Sequence, residues 1–374
     1  MKVTIFGTGN GGLTAAYHLS KMGHEICIYD FPEFQTQCEA VRQAGGIRAA
    51  EKVDDSEMLF DGFQKISLVA ESMEEAMAFA DFYVILCPSF AQERFFNEMI
   101  PWLRDNSTVL TMPANYAGLV FTEMLRKEGK EKLQIRFADA ISIPWACRIL
   151  EPGVTGIMGL KKFLPLSIFP VDPSGKTEEA VRKLLPIPVE ILPDPVSAGL
   201  ENINFGGHPL MTIVNMGLLE NFGGQFSYYK DCCSLATARA AAKMDQERLA
   251  VGHALGLSLR TELDAMNALY GVKEESVYAF NRNSVPHGKI HNAPASSRAR
   301  YITEDVPYVL VPCYELACLA EVEVPLVKAC ITIASAYNDE DYFRTGRTLE
   351  KMGLSGKNLQ QIRSLFTKRD IYEK

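Results

Sequence analysis

The sequence has 374 residues and lacks several features that indicate particular classes of protein. It carries no run of basic residues and its formal net charge is −8, so nothing in it would attract nucleic acid or an anionic membrane surface. No apolar run approaches the roughly 18 residues of a membrane-spanning helix. The opening MKVTIFGTGN enters a strand pattern at once and leaves no room for a secretory signal. We therefore expect a cytoplasmic protein with neither nucleic-acid nor membrane partners.

Cysteine is present, but without the spacing of a disulfide or zinc framework. The nine cysteines include no C-x-x-C pair, and Cys232 and Cys233 are adjacent, so they could hardly bridge to each other without strain. Cys27 and Cys330 lie in apolar segments, where a reduced thiol behaves as a small hydrophobic group. This usage is consistent with a reducing compartment.

Histidine is rare, with six residues in the chain. His287 and His291 have the spacing of two metal ligands on one helix face, but Pro286 and Gly288 disfavour a helix there and no carboxylate completes the set. We therefore expect an exposed polar loop at that place and no metal site. The histidines that remain for chemistry at neutral pH include His208, to which we return below.

The first half of the chain alternates short apolar runs with amphipathic stretches. This pattern predicts buried parallel strands joined by right-handed helical crossovers, and hence a Rossmann-type, doubly wound α/β domain. The predicted strands are residues 1–6, 25–30, 65–70, 82–88, 107–112, 134–140 and 189–192, and the predicted helices are 9–24, 72–80, 95–103 and 118–130.

The second half of the chain has a different pattern of apolar residues. Four prolines fall between Pro186 and Pro195, and a proline-dense segment after the last predicted strand is a plausible boundary. Beyond it, apolar residues recur at intervals of three and four without strand alternation. The predicted helices are residues 208–221, 227–256, 259–270, 306–322 and 324–338. We therefore predict a Rossmann dinucleotide-binding domain over residues 1–194 and an all-helical substrate-binding and catalytic domain over residues 195–374.

The segment GTGNGG, between the first strand and the first helix, matches the dinucleotide fingerprint G-x-G-x-x-G. Gly7 permits a tight turn, Gly9 allows a pyrophosphate to approach the backbone, and Gly12 allows the helix to pack closely on the strand. Asp30 ends the second strand, where its carboxylate can accept hydrogen bonds from a ribose diol and repel a 2′-phosphate. We therefore expect a nicotinamide cofactor, with NAD(H) favoured over NADP(H). The alternative is a Rossmann domain that binds no dinucleotide.

Other residues are candidates for the same cofactor site. Asn10 and Gly11 complete the glycine loop. Cys87 and Pro88 lie at the carboxyl end of the fourth predicted strand, where cofactors bind in such sheets. A simple strand-ending turn is an equally good interpretation of Cys87 and Pro88.

His208 stands in the segment NINFGGHPLM, directly behind two glycines and before a proline. Gly206 and Gly207 would allow another backbone or a ligand to approach closely, and Pro209 suits the first turn of a helix. A histidine at that place could carry protons in either direction near neutral pH. It could equally cap the helix without chemistry.

A second polar patch lies in the segment SSRARYITEDVPYVLVP. Asp305 could orient the imidazole of His208 and stabilise its protonated form, and Arg300 could hold a substrate carboxylate in a bidentate pair. The alternative for Asp305 is a helix N-cap, and for Arg300 a surface cation.

The sequence resembles the opine dehydrogenases over nearly its whole length. The resemblance rests on GTGNGGLTAAYHLSKMGHE, SIPWACR, NINFGGHP, RYITEDVPYVLVP and GRTLEKMGL. It implies a Rossmann domain followed by an all-helical domain, with the active site in the cleft between them. By the same resemblance His208 and Asp305 match the catalytic pair and Arg300 the carboxylate-binding arginine. Asn202 and Asn204 are further candidates for contact with the substrate or nicotinamide.

Two positions depart from the pattern of that family. MPANYAG places Tyr116 where a turn of small residues is usual, which would add bulk near the expected cofactor cleft. SIPWACR carries Trp145 where the aromatic residue is often smaller. Both raise the question of how the cofactor or substrate would fit.

The implied reaction is a reductive condensation of an amino acid with a 2-oxo acid, such as pyruvate, through an imine. One alternative is a related two-domain dehydrogenase for 2-oxo or 3-hydroxy acids that uses no amine. A second is a sensor that binds NAD(H) and catalyses nothing. The expected partners are small-molecule substrates, and a homodimer is the expected assembly.

Overall fold

The computed structural model describes residues 1–53, 56–285 and 293–367. The chain divides into two compact units, one of Met1–Pro195 joined by Phe366 and Thr367, and one of Val196–Leu365. The division falls one residue after the boundary that the prolines predicted. Phe366 groups with the first unit because its ring packs edge-on against Phe169, with 5.9 Å between the ring centroids.

The first unit is built on a sheet in the order β14-β13-β10-β9-β8-β1-β2-β7 among the described residues. The pairs on either side of β1 are parallel, and β13 runs antiparallel to β10. The expected doubly wound sheet is therefore present, with one reversed connection near its edge. Its strands are β1 (Lys2–Phe6), β2 (Glu25–Tyr29), β7 (Leu68–Val69), β8 (Phe82–Ile85), β9 (Thr108–Thr111), β10 (Arg136–Ala140), β13 (Leu164–Phe169) and β14 (Val189–Ile191).

The pattern failed to predict a second, smaller sheet in this unit, in the order β11-β12-β3-β6. Its strands are β11 (Trp145–Glu151), β12 (Val154–Leu160), β3 (Gly46–Ala49) and β6 (Gly62–Lys65), and β4 (Lys52–Val53) pairs with β5 (Ser56–Glu57) beside it. The predicted strand over residues 65–70 was too long, because Lys65 belongs to β6 and only Leu68 and Val69 pair with β2.

The helices of the first unit follow the sequence pattern closely, with shifts at their ends. The helix predicted over residues 95–103 begins earlier and ends at Met99, followed by a single turn of 3₁₀-helix (Ile100–Trp102), since Pro101 cannot continue the α-helical hydrogen bonds. The helices are α1 (Asn10–Lys21), α2 (Thr36–Ala44), α3 (Met73–Phe79), α4 (Ser89–Met99), α5 (Ala117–Lys127) and α6 (Lys176–Leu184), with a further 3₁₀ turn at Pro32–Phe34.

Side chains alternate across the main sheet, as the two-residue period of a strand requires. Val3 and Ile5 of β1 are buried on one face, where they join the core that also includes Leu13 of α1. Phe6 and Cys27 are buried on the other face. Both faces of the sheet are therefore covered, as expected for a doubly wound domain.

The second unit is helical throughout its described residues, as predicted. Its elements are α7 (Pro195–Leu200), α8 (Pro209–Val214), α9 (Met216–Asn221), α10 (Tyr228–Asp231), α11 (Leu235–Ala254), α12 (Glu262–Tyr270), α13 (Val277–Asn283), α14 (Arg300–Thr303), a π-helical turn (Val306–Leu310), α15 (Val311–Leu319), α16 (Pro325–Asn338), α17 (Tyr342–Thr345) and α18 (Leu359–Thr367). No helix in the described part of the chain is both long and apolar enough to cross a membrane.

Three helices predicted as continuous are interrupted. The helix predicted over residues 227–256 breaks before Leu235, because the Ser234 side chain accepts a hydrogen bond from the Thr237 N–H and starts a new helix. The helix predicted over residues 208–221 breaks at Asn215, and the segment from Val306 begins with the π-helical turn. Local hydrogen bonding by polar side chains, which hydrophobic periodicity does not reveal, explains the first break.

Candidate active site

His208 is the residue directly before α8, and both of its ring nitrogens are hydrogen-bonded. Nδ1 lies 2.8 Å from Oδ2 of Asp305, and Nε2 lies 3.1 Å from the hydroxyl of Tyr229. The ring also stacks on Tyr301, with 3.7 Å between the centroids and 9° between the planes. The pairing of His208 with Asp305, 97 residues apart, is therefore present in the fold as predicted.

Neither His208 nor Asp305 acts as the helix cap that each could have been. Both occupy capping positions, but neither side chain makes a capping hydrogen bond. The side chains are 13% and 7% exposed, so their contact is largely shielded from solvent. Burial raises the pKa of the Asp305 carboxyl, and the charge and hydrogen bond of His208 oppose that rise.

The backbone that carries His208 is held by a buried tyrosine. The hydroxyl of Tyr228 donates to the carbonyls of Gly207 and His208, at 3.1 Å in each case, and lies 2.8 Å from the Thr212 hydroxyl. Burial raises the pKa of Tyr228 well above its ordinary value, so this hydroxyl keeps its proton. The imidazole is thus fixed through its ring and through its own peptide.

Sequence reasoning overlooked the tyrosines of this site. Tyr228 and Tyr229 are adjacent in the chain, and Tyr301 precedes Asp305 by four residues. Residues four apart share one face of a helix, so the RYITED motif could have indicated that Tyr301 and Asp305 approach the same partner. The Tyr228–Tyr229 pair carries no comparable signal, since only tertiary packing brings α10 to His208.

The side chain of Arg300 pairs with Glu304, one helical turn further along the chain. Its Nε donates to Oε2 of Glu304 at 2.7 Å, and a terminal nitrogen lies 2.6 Å from the same oxygen. The Arg300 side chain is 60% exposed, whereas that of Glu304 is 4% exposed. The exposed face of the guanidinium is therefore the part that could meet a ligand.

Asn202 and Asn204 shape the loop that leads to His208. The Asn202 side-chain oxygen accepts the N–H of Asn204 at 2.8 Å, and the Asn204 carbonyl accepts the N–H of His208 at 3.2 Å. Asn202 is buried and Asn204 is half-buried. The hydrogen bond from the Asn204 N–H to Asn202 stabilises the loop, as asparagine side chains commonly do in turns.

Gly206 and Gly207 approach a protein side chain. A Cβ at Gly206 would lie 2.5 Å from Oε2 of Glu262, and one at Gly207 would lie 3.3 Å from Oε1. The close approach that the two glycines predicted therefore occurs, but the partner that the structure shows is the carboxyl group of Glu262. Clearance for substrate and nicotinamide is not needed to explain these glycines.

In the first unit, the glycine loop has the expected geometry. Gly7 has a positive φ of 92°, and a Cβ at Gly12 would lie 1.8 Å from the Gly7 carbonyl oxygen. A Cβ at Gly9 would meet no atom within 4 Å. Gly7 and Gly12 are thus required by the fold itself, while Gly9 leaves open space over the loop, which suits a cradle for a phosphate.

Asp30 closes this loop from the second strand. Its Oδ2 accepts the backbone N–H of Thr8 at 2.7 Å and the Thr8 hydroxyl at 2.8 Å, and Oδ1 accepts the N–H of Phe31 at 2.9 Å. Burial raises the pKa of Asp30, and these hydrogen bonds oppose the rise. Asp30 therefore fixes the loop in addition to any contact with a ribose.

The remaining cofactor candidates lie around the same turn. The Asn10 side chain accepts the N–H of Ile149 at 2.7 Å, which ties the start of α1 to β11. A Cβ on Gly11 would lie 3.3 Å from Leu86. Cys87 is half-buried and approaches Gly7, and Pro88 directly precedes α4. The glycine loop, Cys87 and Asp30 thus lie together at the carboxyl ends of β1, β8 and β2.

Comparison with known proteins agrees with this arrangement. The model of the NAD/NADP octopine/nopaline dehydrogenase α-helical domain matches residues 191–338. An opine dehydrogenase of Arthrobacter sp. (strain 1C) is 26% identical over 366 residues, covering 96% of this chain and 97% of that protein. Residues 191–338 are thus similar to the helical domain of octopine and nopaline dehydrogenases, and nearly the whole chain is similar to an opine dehydrogenase.

Solved structures share the fold of this chain. An octopine dehydrogenase in complex with NADH and agmatine matches with a TM-score of 0.78 and 20% identity, covering 100% of both chains. An NADP⁺-bound yersinopine dehydrogenase matches with a TM-score of 0.70 and 13% identity, covering 99% of this chain and 98% of that one. At these identities the likeness establishes the architecture of a Rossmann sheet with a helical unit.

The two departures from the opine dehydrogenase pattern have structural explanations. Tyr116 has a positive φ of 68° directly before α5, and its side chain is buried. Trp145 is 2% exposed, and its Nε1–H donates to Nδ1 of His18 at 2.9 Å. The added bulk of both side chains is accommodated within the interior of the first unit.

Metal chemistry finds no support in the described residues, which contain no group of three or more histidine, cysteine or acidic side chains placed to hold an ion. His287 and His291, the pair considered from the sequence, lie outside the described residues. The nine cysteines form no disulfide bonds.

Proposed function

We propose that this chain catalyses the NAD(H)-dependent reductive condensation of an amino acid with a 2-oxo acid to an N-(carboxyalkyl)amino acid. Residues 1–194 bind the dinucleotide, and residues 195–374 carry the substrate-binding and catalytic side chains. The observation that carries the proposal is the shielded His208–Asp305 pair in a chain similar to opine dehydrogenases.

The reaction needs proton transfers at two stages. The amine nitrogen of the amino acid adds to the carbonyl carbon of the 2-oxo acid, and the resulting hydroxyl leaves as water to give an imine. The imine nitrogen takes up a proton, and its carbon accepts a hydride, which a nicotinamide dinucleotide would supply when bound, to give a secondary amine. A group that donates protons to the departing hydroxyl therefore accelerates the first stage.

His208 is the residue suited to that task. With Nδ1–H donating to the Asp305 carboxylate, Nε2 is the nitrogen left to exchange protons, and Tyr229 is its neighbour there. Asp305 stabilises the protonated imidazole and keeps one tautomer in the neutral form. Arg300 holds a substrate carboxylate on the face of its guanidinium that Glu304 leaves exposed, and Asn202 and Asn204 support the loop beside His208.

The cofactor is a nicotinamide dinucleotide, and we propose a preference for NAD(H) over NADP(H). The Asp30 carboxylate would repel a 2′-phosphate. The neighbouring arginine, Arg94, lies with its guanidinium 3.7 Å from the ring centroid of Phe31 and forms an ion pair with Glu33. Glu33 thus neutralises the cation best placed to attract that phosphate.

A substitution at Glu33 tests the preference. Glu33→Gln should raise kcat/KM for NADPH relative to NADH by about tenfold, because Arg94 is released from its carboxylate partner. Glu57→Gln, at an exposed glutamate of β5, is the matched control and should leave the ratio unchanged. Equal ratios in wild type and Glu33→Gln would show that Glu33 has no part in the selection.

The proposed reaction is tested by a matrix of amino acids against pyruvate and other 2-oxo acids, following loss of NADH and NADPH and identifying the product by mass. We expect oxidation that requires both organic substrates and a product heavier than the amino acid by the added carboxyalkyl group. Oxidation that ignores the amine would instead support a 2-oxo acid dehydrogenase of similar architecture. A melting shift with NADH but no oxidation with any pair would support a sensor.

We also propose a homodimer in a reducing, cytoplasmic compartment. The free cysteines are consistent with that compartment, and eight of them are buried or half-buried. Sedimentation at several concentrations, with and without NADH, measures the assembly directly, and a monomer throughout would exclude the dimer.

A further inference from the structure

Glu262 is a buried acid that the proposed reaction does not use. It is the first residue of α12 and is 4% exposed. Its Oε1 accepts the backbone N–H of Gly207 at 3.1 Å, and its Oε2 has no hydrogen-bond partner among the described residues. The carboxyl group therefore packs against the backbone of Gly206 and Gly207, directly before His208 in the chain.

The charges around Glu262 are unbalanced if it is ionised. On α11, Asp245 binds Arg248 at 2.6 Å, and its second oxygen accepts the backbone N–H of Glu262 at 2.9 Å. Arg248 also donates to the carbonyls of Leu200 and Arg260, at 2.9 and 2.6 Å. One buried cation thus faces two carboxyl groups, and most of its hydrogen bonds are directed away from Glu262.

The other titratable groups nearby do not restore the balance. The thiol of Cys233 is buried and interacts with Glu262, and burial raises the pKa of that thiol, so it is neutral. Arg260 pairs with Glu201 at 3.1 Å. The charge balance therefore favours a protonated Glu262 beside an ionised Asp245.

The burial of Glu262 also favours its protonated form. Burial and the charge of Asp245 raise the pKa of Glu262 to about 8, against the opposing effects of Arg248 and the Gly207 N–H. The carboxyl is therefore largely neutral at pH 7 and ionises in the mildly alkaline range.

The backbone around Gly207 is held from both sides. Glu262 accepts the N–H of Gly207, while the Tyr228 hydroxyl donates to the carbonyls of Gly207 and His208. The absence of side chains at Gly206 and Gly207 lets the carboxyl approach this closely. A shift of this segment would move the His208 ring relative to Asp305, to which Nδ1 is hydrogen-bonded at 2.8 Å.

We propose that Glu262 is a positioning residue for His208, whose neutral carboxyl holds the Gly206–Gly207 turn so that the imidazole reaches Asp305. The proposal rests on the proposed function in treating His208 as the proton carrier of the reaction. Ionisation of Glu262 places a second negative charge beside Asp245 in a buried site. The Gly207 N–H favours the charged form, but repulsion between the two carboxylates draws the Glu262 side chain away from the turn. Glu262 thereby sets an alkaline limit to activity without touching the substrate.

Two variants separate the acceptor role of Glu262 from its charge. Glu262→Gln keeps an oxygen that can accept from Gly207 but cannot ionise, and Glu262→Ala removes the acceptor and leaves a cavity. Glu350→Gln, at an exposed glutamate of the same unit, is the matched control. Each protein is compared by the pH dependence of kcat and KM, and by the NMR titration of ¹³C-labelled His208, assigned with His208→Gln.

We expect wild type and Glu350→Gln to lose kcat above about pH 8, and Glu262→Gln to keep its neutral-pH kcat without that loss. Glu262→Ala should lower kcat by about 10- to 100-fold at unchanged KM for NADH, and should alter the His208 titration. If Glu262→Ala does not fold, the pH profile and His208 titration of Glu262→Gln decide the question.

The proposal is overturned if Glu262→Gln has the alkaline loss of wild type and its His208 resonance titrates as in wild type above pH 8. The NMR titration needs no turnover. A protein that oxidises no NADH would thus refute the proposed function, while the His208 titration would still test whether Glu262 positions the ring.

Discussion

At the scale of single residues, His208 is held more firmly than a surface histidine of similar sequence context would be. Asp305 and Tyr229 bind its two ring nitrogens, and Tyr301 covers one face of the ring. Ordering a side chain in the free protein removes an entropic cost from the reaction step. The ring is therefore already ordered for the proton transfer that we propose for it.

Replacing the histidine should stop proton transfer while leaving the dinucleotide site unchanged. His208→Ala should lower turnover by about 10²- to 10⁴-fold, with the Kd for NADH within about twofold of wild type. Steady-state kinetics and NADH fluorescence titration measure the two quantities. His253→Ala, at an exposed histidine of α11, is the control, and wild-type turnover in His208→Ala would refute the assignment.

The His208–Asp305 pair should behave as one unit. Asp305→Asn keeps the shape of the side chain but removes the negative charge, and should lower turnover by about 10²-fold or more. The double variant His208→Ala/Asp305→Asn should be no slower than His208→Ala alone, because Asp305 acts through the imidazole. Losses that multiply in the double variant would show that Asp305 has an independent role.

At the scale of elements, the turn between β1 and α1 shows how one motif combines two requirements. Gly7 is needed because it has a positive φ and a Cβ there would lie 2.5 Å from the Leu86 carbonyl oxygen, and Gly12 because a Cβ there would overlap the Gly7 carbonyl oxygen. Gly9 has an ordinary φ of −68° and open space above it. The sequence motif treats the three glycines alike. The structure shows that Gly7 and Gly12 are required by the fold, whereas Gly9 leaves space for a ligand.

Alanine substitutions separate these roles. Gly9→Ala should change the free energy of unfolding by no more than about 1 kcal/mol but weaken NADH binding by about tenfold or more, since the methyl group would occupy the phosphate cradle. Gly12→Ala should lower the free energy of unfolding by about 3 kcal/mol or more. Urea unfolding and NADH titration measure both effects, and a stable Gly12→Ala with wild-type NADH affinity would contradict this account of the turn.

At the scale of the whole molecule, we expect stability in acid to depend on His18, a buried histidine of the first unit. His18 is buried in the first unit and accepts a hydrogen bond from Trp145, which links α1 to β11. Burial, with a smaller effect from the charge of Lys21, lowers the pKa of His18 from 6.5 to about 4. The folded protein therefore holds this ring neutral where the unfolded chain would protonate it.

This difference predicts the sign of a pH effect. Between about pH 6.5 and 4 the unfolded state binds more protons at His18, so the free energy of unfolding should fall as the pH decreases, by at most about 1.4 kcal/mol per pH unit. The stabilisation is complete above pH 6.5. Urea unfolding at a series of pH values should show a shallower slope for His18→Gln and an unchanged one for the exposed control His253→Gln, and equal slopes in all three would exclude this origin.

The sequence by itself determined the fold class and most of the chemistry. Short apolar runs between amphipathic stretches and the glycine motif ending at Asp30 indicated the Rossmann sheet, because period and turn geometry are local properties. His208, Asp305 and Arg300 could be singled out from their neighbours in the chain and from the family resemblance. The roles given to these residues stay predictions for the experiments above.

Only the tertiary structure decided which residues meet. Tyr229 and Glu262 contact the His208 segment, and Trp145 of the second sheet contacts His18. These contacts all join parts of the chain whose distance apart depends on packing. Periodicity records which side of an element is buried but not against what. For that reason the glycines before His208 could be recognised as a place of close approach, while the carboxyl group that approaches them could not.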